Sequence, residues 1–264
     1  MKAKLSNKHC ILLDLDGVVW RGNQAIEGAK TSLETLEQKG FKLGFVTNNS
    51  SLSREGFKRK FEELGFNPTN YTIINSAYGA AIYLRENSLN RVFLIGEKGL
   101  RKELELQNIY VAEEYEPSLK AVCVGWDRQL TWRKLADAMR VILQDNGFFL
   151  GTNPDNSFPQ ENILVPGTGA QISALVTACG KKPDKVIGKP SRFLIDITLD
   201  EMDCADPAEA VYIGDRLSTD ILAGINAGVD TILVKTGISD NHLEKTILPT
   251  FILDSIADIF TILN

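Results

Sequence analysis

Residues 11–20 read ILLDLDGVVW: an apolar run, two aspartates two positions apart, then a glycine. A short apolar run bounded by a turn residue suits a strand buried on both faces, the kind found in parallel sheets. Asp14 and Asp16 at its tip are harder to account for. On an extended segment, residues two apart project to the same side, so the two carboxylates repel unless a cation or a shared proton intervenes. The first strand is therefore expected to end at a place where positive charge collects.

Outward from this stretch, short β-rich runs alternate with helical patterns, which is how βαβ units and a parallel sheet appear in sequence. Residues 10–15 are predicted as a strand, 28–39 as a helix stopped by Gly40, and 42–46 as the next strand. A helix over 53–64 follows, with Ser53 at its N-cap and Gly65 at its end, and then a strand at 72–74. The middle of the chain repeats the theme with its own strands (91–95, 121–124, 148–150) and helices (101–107, 131–144, 170–178). The last third resumes it with strands at 185–187, 210–213 and 231–234 and helices at 191–201 and 219–226. The expected fold class is α/β, a Rossmann-like parallel-sheet core interrupted by a smaller α/β domain. The core is expected over 1–79 and 183–264, the inserted domain over 80–182.

At 264 residues the chain is long for one domain, and its 44% hydrophobic and 24% charged content is that of an ordinary globular protein. A net charge of −5 offers no basic face for nucleic acid. Cys10, Cys123, Cys179 and Cys204 form no C-x-x-C pair, which argues against a zinc or disulfide framework and for a reducing compartment. No apolar run reaches membrane-spanning length, and Asp14 interrupts the first one too early for a signal peptide, so the cytoplasm is the expected location. The only histidines are His9 and His242, so a Ser-His-Asp triad or a histidine metal site would have to recruit one of them. Chemistry on carboxylates and lysine is the simpler expectation.

In a parallel sheet every strand ends at one edge, and ligands bind in the crevice beyond it. Here the strand ends are LLDLDG, FVTNNSS, VIGKP and YIGDRLSTD, which would deliver Asp14, Asp16, Thr47, Asn48, Lys189, Asp215 and Asp220 to one rim. A single aspartate at such a place is most often a turn former or a helix cap. Three at three strand ends point to a magnesium site, because Mg²⁺ takes oxygen ligands, keeps several waters and is completed by substrate phosphate. Thr47 offers a hydroxyl and Asn48 an amide near a helix start, a favourable place for an anion. Lys189 is a point charge held between Gly188 and Pro190, and Asp220 can cap the following helix or orient a metal-bound water. VPGTGA is not a dinucleotide fingerprint, since Ile172 stands where the last glycine would be, and IGEKGL around Lys98 lacks the P-loop spacing. Asn153 and Asp155 in TNPDNSFP could face a site or serve as turn residues; Arg101, Lys102 and Arg128 are expected to be solvated.

In this order DLDGVVW, VTNNS, GKP and GDRLSTD resemble the four motifs of the haloacid dehalogenase-like phosphohydrolases. TNPDNSFP (152–159), PGTGA (166–170) and the long insertion between the second and third motifs resemble the NagD or 4-nitrophenylphosphatase branch. The resemblance implies Asp14 as nucleophile and Asp16 as general acid and base. It implies Mg²⁺ on Asp14, the Asp16 carbonyl and Asp215, phosphoryl binding by Thr47, Asn48 and Lys189, and Asp220 supporting the metal shell or Lys189. It also implies that the inserted domain is a cap, and that the substrates are small phosphate monoesters: sugar phosphates, nucleoside monophosphates, phosphoglycolate-like metabolites or 4-nitrophenyl phosphate. No membrane or nucleic-acid partner is expected, and a homodimer is left open. Two rivals remain at this point. One is a receiver-type aspartate phosphoacceptor, which would lack the acid two residues after the nucleophile; the other is a dinucleotide-binding oxidoreductase resting on GTGA alone.

Overall fold

The structure, a computed structural model, describes residues 7–160, 163–237 and 246–263; His242 lies outside them. The chain forms two compact units. One is made of Met1–Thr47, Lys58–Ile74 and Lys189–Asn264, the other of Asn48–Phe57 and Asn75–Gly188.

The first unit is built on a six-stranded sheet in the spatial order Phe251–Leu253, Asp230–Val234, Ala210–Gly214, Cys10–Leu13, Lys42–Thr47, Thr72–Asn75. Cys10–Leu13 pairs in parallel with both neighbours, Leu13 lying opposite Ile213 on one side and Phe45 on the other. Its four residues are buried, which is why the run is apolar without alternation. From this central strand the chain first builds outward to one side, then returns to build the other. The order therefore reverses between Cys10–Leu13 and Ala210–Gly214, and the crevice beyond such a reversal is where an open α/β sheet takes its ligand. On one flank Trp20, Phe45, Phe61, Phe66 and Tyr71 pack ring against ring, with centroids 4.7 to 5.5 Å apart. Where these rings meet edge-on, each contact adds about 1 kcal/mol to the area it buries.

The second unit has its own five-stranded parallel sheet, in the order Lys185–Val186, Phe148–Gly151, Ala121–Val124, Arg91–Ile95, Tyr110–Ala112. Its core is a separate cluster that includes Phe93, Val122, Val124, Val141, Phe149 and Leu175. Asn75 and Thr131 cap the helices Ser76–Glu86 and Trp132–Leu143, accepting from the backbone N–H groups of Tyr78 and Lys134. This unit is wider than the 80–182 segment of the sequence analysis. It takes in residues 48–57, 75–79 and 183–188 as well.

One expected strand sits in the other sheet. The run at 185–187 was expected to continue the first sheet, but Lys185–Val186 pairs with Leu150 and Gly151 of the second, and the N–H groups of Ile187 and Gly188 extend that ladder to Gly151 and Thr152. A two-residue, half-buried strand carries no pattern that tells one sheet from another. The helix Ser76–Glu86 escaped the sequence analysis for the opposite reason. Nearly every residue from Ser76 to Leu84 is buried, so the helix has no polar face and no visible period. Among the described residues no helix is long and apolar enough to cross a membrane. All four cysteines are free.

Candidate active site

The strand Cys10–Leu13 is continued by the N–H of Asp14, which donates to the Ile213 carbonyl at 2.9 Å. Beyond it the chain turns sharply. The N–H groups of Val18, Val19 and Trp20 all converge on the Leu15 carbonyl, and Gly17 adopts φ 90°, a conformation a side chain would strain. The same glycine lets Asp215 come close: a Cβ at position 17 would stand 2.5 Å from Asp215 Oδ2. Asp215 follows the neighbouring strand Ala210–Gly214, and from there a π-type turn, Leu217–Ile221, swings Asp220 back onto its own start. Asp220 Oδ2 accepts from the N–H groups of Asp215 at 3.2 Å and Arg216 at 3.1 Å.

These turns bring carboxylate oxygens of Asp14, Asp215 and Asp220 within 4.8 Å of one another, all three residues buried. Lys189 enters the same group. Its Nζ lies 2.6 Å from Asp14 Oδ1 and 2.7 Å from Asp220 Oδ1, and it donates to the Val46 carbonyl at 3.2 Å. Tyr212 completes the group: its hydroxyl is 3.0 Å from Lys189 Nζ and donates to Asp220 Oδ1 at 3.1 Å. Tyr212 is not legible in the sequence as a site residue, because it lies inside a buried strand where an aromatic residue is expected for packing alone. Its place three residues before Asp215 was the available signal.

Burial dominates the electrostatics. It pushes the Asp14 carboxyl up to about 7 against the pull of Lys189, with Asp220 and Asp16 pushing in the same direction. Burial would also raise Asp220, but Lys189, the Arg216 backbone N–H and a hydrogen bond with Asp215 outweigh it and hold that carboxyl below its ordinary value. For Lys189 burial favours the neutral amine, and Asp14 and Asp220 overturn this, keeping the ammonium charged. When ionised, three carboxylates face one ammonium and leave two negative charges in a dry place. Hard oxygen donors with that surplus suit one divalent cation such as Mg²⁺.

The strand ends at Leu13, before Asp14 and Asp16, and the turn that follows carries Asp16, whose charge still acts on Asp14. The Asp16 carboxylate stands outside the three-acid group and accepts from the indole N–H of Trp20 at 3.0 Å. Burial raises its carboxyl, with Lys60 the main opposing charge. Thr47 is buried at the end of the strand Lys42–Thr47. Asn48 opens the second unit, where its amide donates to Asp155 Oδ2 at 3.1 Å and its carbonyl accepts from Ser76 Oγ and Asn153 Nδ2. Asn153 and Asp155 are thus both bonded to Asn48. PGTGA starts the helix Thr168–Cys179, where Gly169 makes room for the Pro154 carbonyl. Arg128 forks onto Glu97 at 2.6 and 2.7 Å, Arg101 lies 3.2 Å from Glu113, and His9 is exposed before the first strand.

Comparison with known proteins shows the family and the fold. The family described as haloacid dehalogenase-like hydrolase matches residues 11–110, and a HAD-hydrolase-like family matches 186–259. A glycerol-3-phosphate phosphatase of Homo sapiens is 34% identical, the alignment covering 100% of this chain and 93% of the relative. The solved structure of a 4-nitrophenylphosphatase from Thermotoga maritima superposes with a TM-score of 0.90 at 29% identity, covering 98% of this chain and 99% of that one. A glycerol phosphate phosphatase from Mycobacterium tuberculosis, solved in complex with magnesium, gives 0.87 at 32% identity over 97% of this chain and 78% of its own.

Proposed function

The chain belongs to the haloacid dehalogenase-like hydrolases, in their NagD or 4-nitrophenylphosphatase branch, and from that premise we propose that it hydrolyses small phosphate monoesters through a phosphorylated Asp14. The observation that carries this is the packing of Asp14 against Lys189 inside the three-acid group. A phosphate monoester is dianionic, so a carboxylate approaches it only where that charge is offset. Lys189 supplies one positive charge. Asp14, Asp215 and the Asp16 carbonyl would hold Mg²⁺, which when bound supplies the rest and polarises the phosphoryl oxygens.

Asp14 then attacks phosphorus and the ester oxygen leaves, which divides one difficult displacement into two easier ones. Asp16 gives its proton to the departing oxygen and later accepts one from the water that cleaves the aspartyl phosphate. Thr47, Asn48 and Lys189 bind the transferring group. Asp220 and Tyr212 hold the Lys189 ammonium in place through contacts of 2.7 and 3.0 Å. The substrates are phosphate esters of small alcohols, such as glycerol phosphate, sugar phosphates, nucleoside monophosphates and phosphoglycolate, with 4-nitrophenyl phosphate accepted in vitro. The similarity to phosphatases named for glycerol phosphates and for the nitrophenyl ester supports that range.

Phosphate release from a panel of these esters tests the proposal. Repeated turnover is expected with Mg²⁺ and none after exhaustive dialysis against EDTA. Asp14→Asn should lose turnover entirely. Substantial turnover by Asp14→Asn, or a single trapped phosphate per chain in place of many released, would overturn it.

A further inference from the structure

Asp16 stands outside the three-acid group and is held by a partner of its own. Among the described residues its side chain has a single hydrogen-bond partner, the indole N–H of Trp20, 3.0 Å from Oδ1. That indole is itself immobilised. Trp20 is fully buried and is the first residue of a short hairpin, Trp20–Arg21 against Gln24–Ala25. Its carbonyl accepts from Gly17 N–H at 2.7 Å, and its own N–H reaches the Leu15 carbonyl at 3.2 Å. The ring meets Phe61 edge-on at 4.8 Å, and the Lys60 ammonium lies 4.4 Å from the ring centroid. A donor so clamped cannot turn away, so it dictates which way the carboxyl faces.

We propose that Trp20 is a positioning residue that holds the Asp16 carboxyl so that Oδ2 is the atom delivering the proton. This rests on the function proposed above, with Asp16 as general acid. In a protonated carboxyl the carbonyl-type oxygen is the better acceptor, so an indole N–H on Oδ1 leaves the hydrogen on Oδ2. As an Asp14 oxygen bonds to phosphorus, the bond from phosphorus to the ester oxygen breaks with its electron pair on that oxygen. The oxygen takes the Oδ2 proton, and the alcohol leaves neutral. An alkoxide needs that proton during bond breaking, whereas nitrophenolate leaves without it.

The test compares Trp20→Phe, which keeps the ring and loses the N–H, with the wild type on glycerol phosphate and on 4-nitrophenyl phosphate. We expect kcat for glycerol phosphate to fall about 10-fold, the scale of one lost hydrogen bond. The nitrophenyl ester should change about 2-fold or less, with KM unmoved for both. Because Trp20 acts through Asp16, adding Trp20→Phe to Asp16→Asn should cost little more than Asp16→Asn alone. If Trp20→Phe does not fold, the benzothienyl analogue of tryptophan placed at position 20 keeps the shape and still lacks the donor. Equal losses on the two esters, or full additivity with Asp16→Asn, would overturn the proposal. An Asp16→Asn enzyme with unchanged turnover on glycerol phosphate would instead strike at the function it rests on.

Discussion

Asp14 is buried, 2.6 Å from a lysine, and its carboxyl is still pushed up to about 7. One ammonium shared with Asp220 does not repay the loss of water, and the deficit is what a bound cation would fill. A linkage with a definite sign follows for the metal-free protein. Asp14 in the unfolded chain titrates near the ordinary value of about 4. Between there and about 7 the folded protein holds a proton that the unfolded chain has released, so stability rises as pH falls through 7 and is lost as pH rises through it. Asp16, raised by burial in the same direction, adds to this. Melting in EDTA should therefore occur several degrees higher at pH 6 than at pH 8, and Asp14→Asn should flatten that difference. A higher melting temperature at pH 8 in the metal-free wild type would contradict the assignment. At this scale the sequence revealed which acids and which lysine matter, because their positions at strand ends are local. It did not reveal Tyr212, whose hydroxyl becomes part of the site only through the packing around it.

Elements place these side chains through close backbone approaches. The turn after Cys10–Leu13 works because Gly17 takes φ 90° and leaves space beside Asp215, and Gly237 abuts the same carboxylate. A methyl group at position 17 would carry the strain of a left-handed backbone, about 1 to 3 kcal/mol, and would press on Asp215. Gly17→Ala should accordingly lower the melting temperature. It should also weaken Mg²⁺ binding, measured as the metal concentration giving half-maximal turnover, by 10-fold or more. Unchanged metal dependence would mean that Asp215 has freedom the turn does not suggest. The glycine and the paired aspartates were plain in DLDG, and the run before them revealed the strand. Where that strand stops was not. Ending at Leu13 rather than Leu15 turns Asp16 toward Trp20, and the reason lies in the hydrogen bonds converging on the Leu15 carbonyl, which no propensity encodes.

The first unit gathers three separate stretches of chain around one sheet, and Lys189 meets Asp14 across 175 residues of sequence. A cation bound where those stretches converge binds the folded chain and not the unfolded one, so it must stabilise the fold by mass action. A hundredfold excess over the dissociation constant is worth about 2.7 kcal/mol. Mg²⁺ should raise the melting temperature of the wild type in proportion to the logarithm of its concentration, and the rise should vanish in Asp215→Asn. An equal rise in both would place the ion elsewhere. The sequence by itself determined the α/β class, the interruption of one parallel pattern by another, and the acids and lysine at the strand ends, because buried strands, glycine turns and charged tips are short-range signals. Only the tertiary structure decided that Lys185–Val186 pairs in the second sheet, that Asp16 faces Trp20, and that Tyr212 and Asp220 share Lys189. Those outcomes depend on which distant segments pair and pack together, and a pairing between residues far apart in the chain leaves no periodic trace in either one.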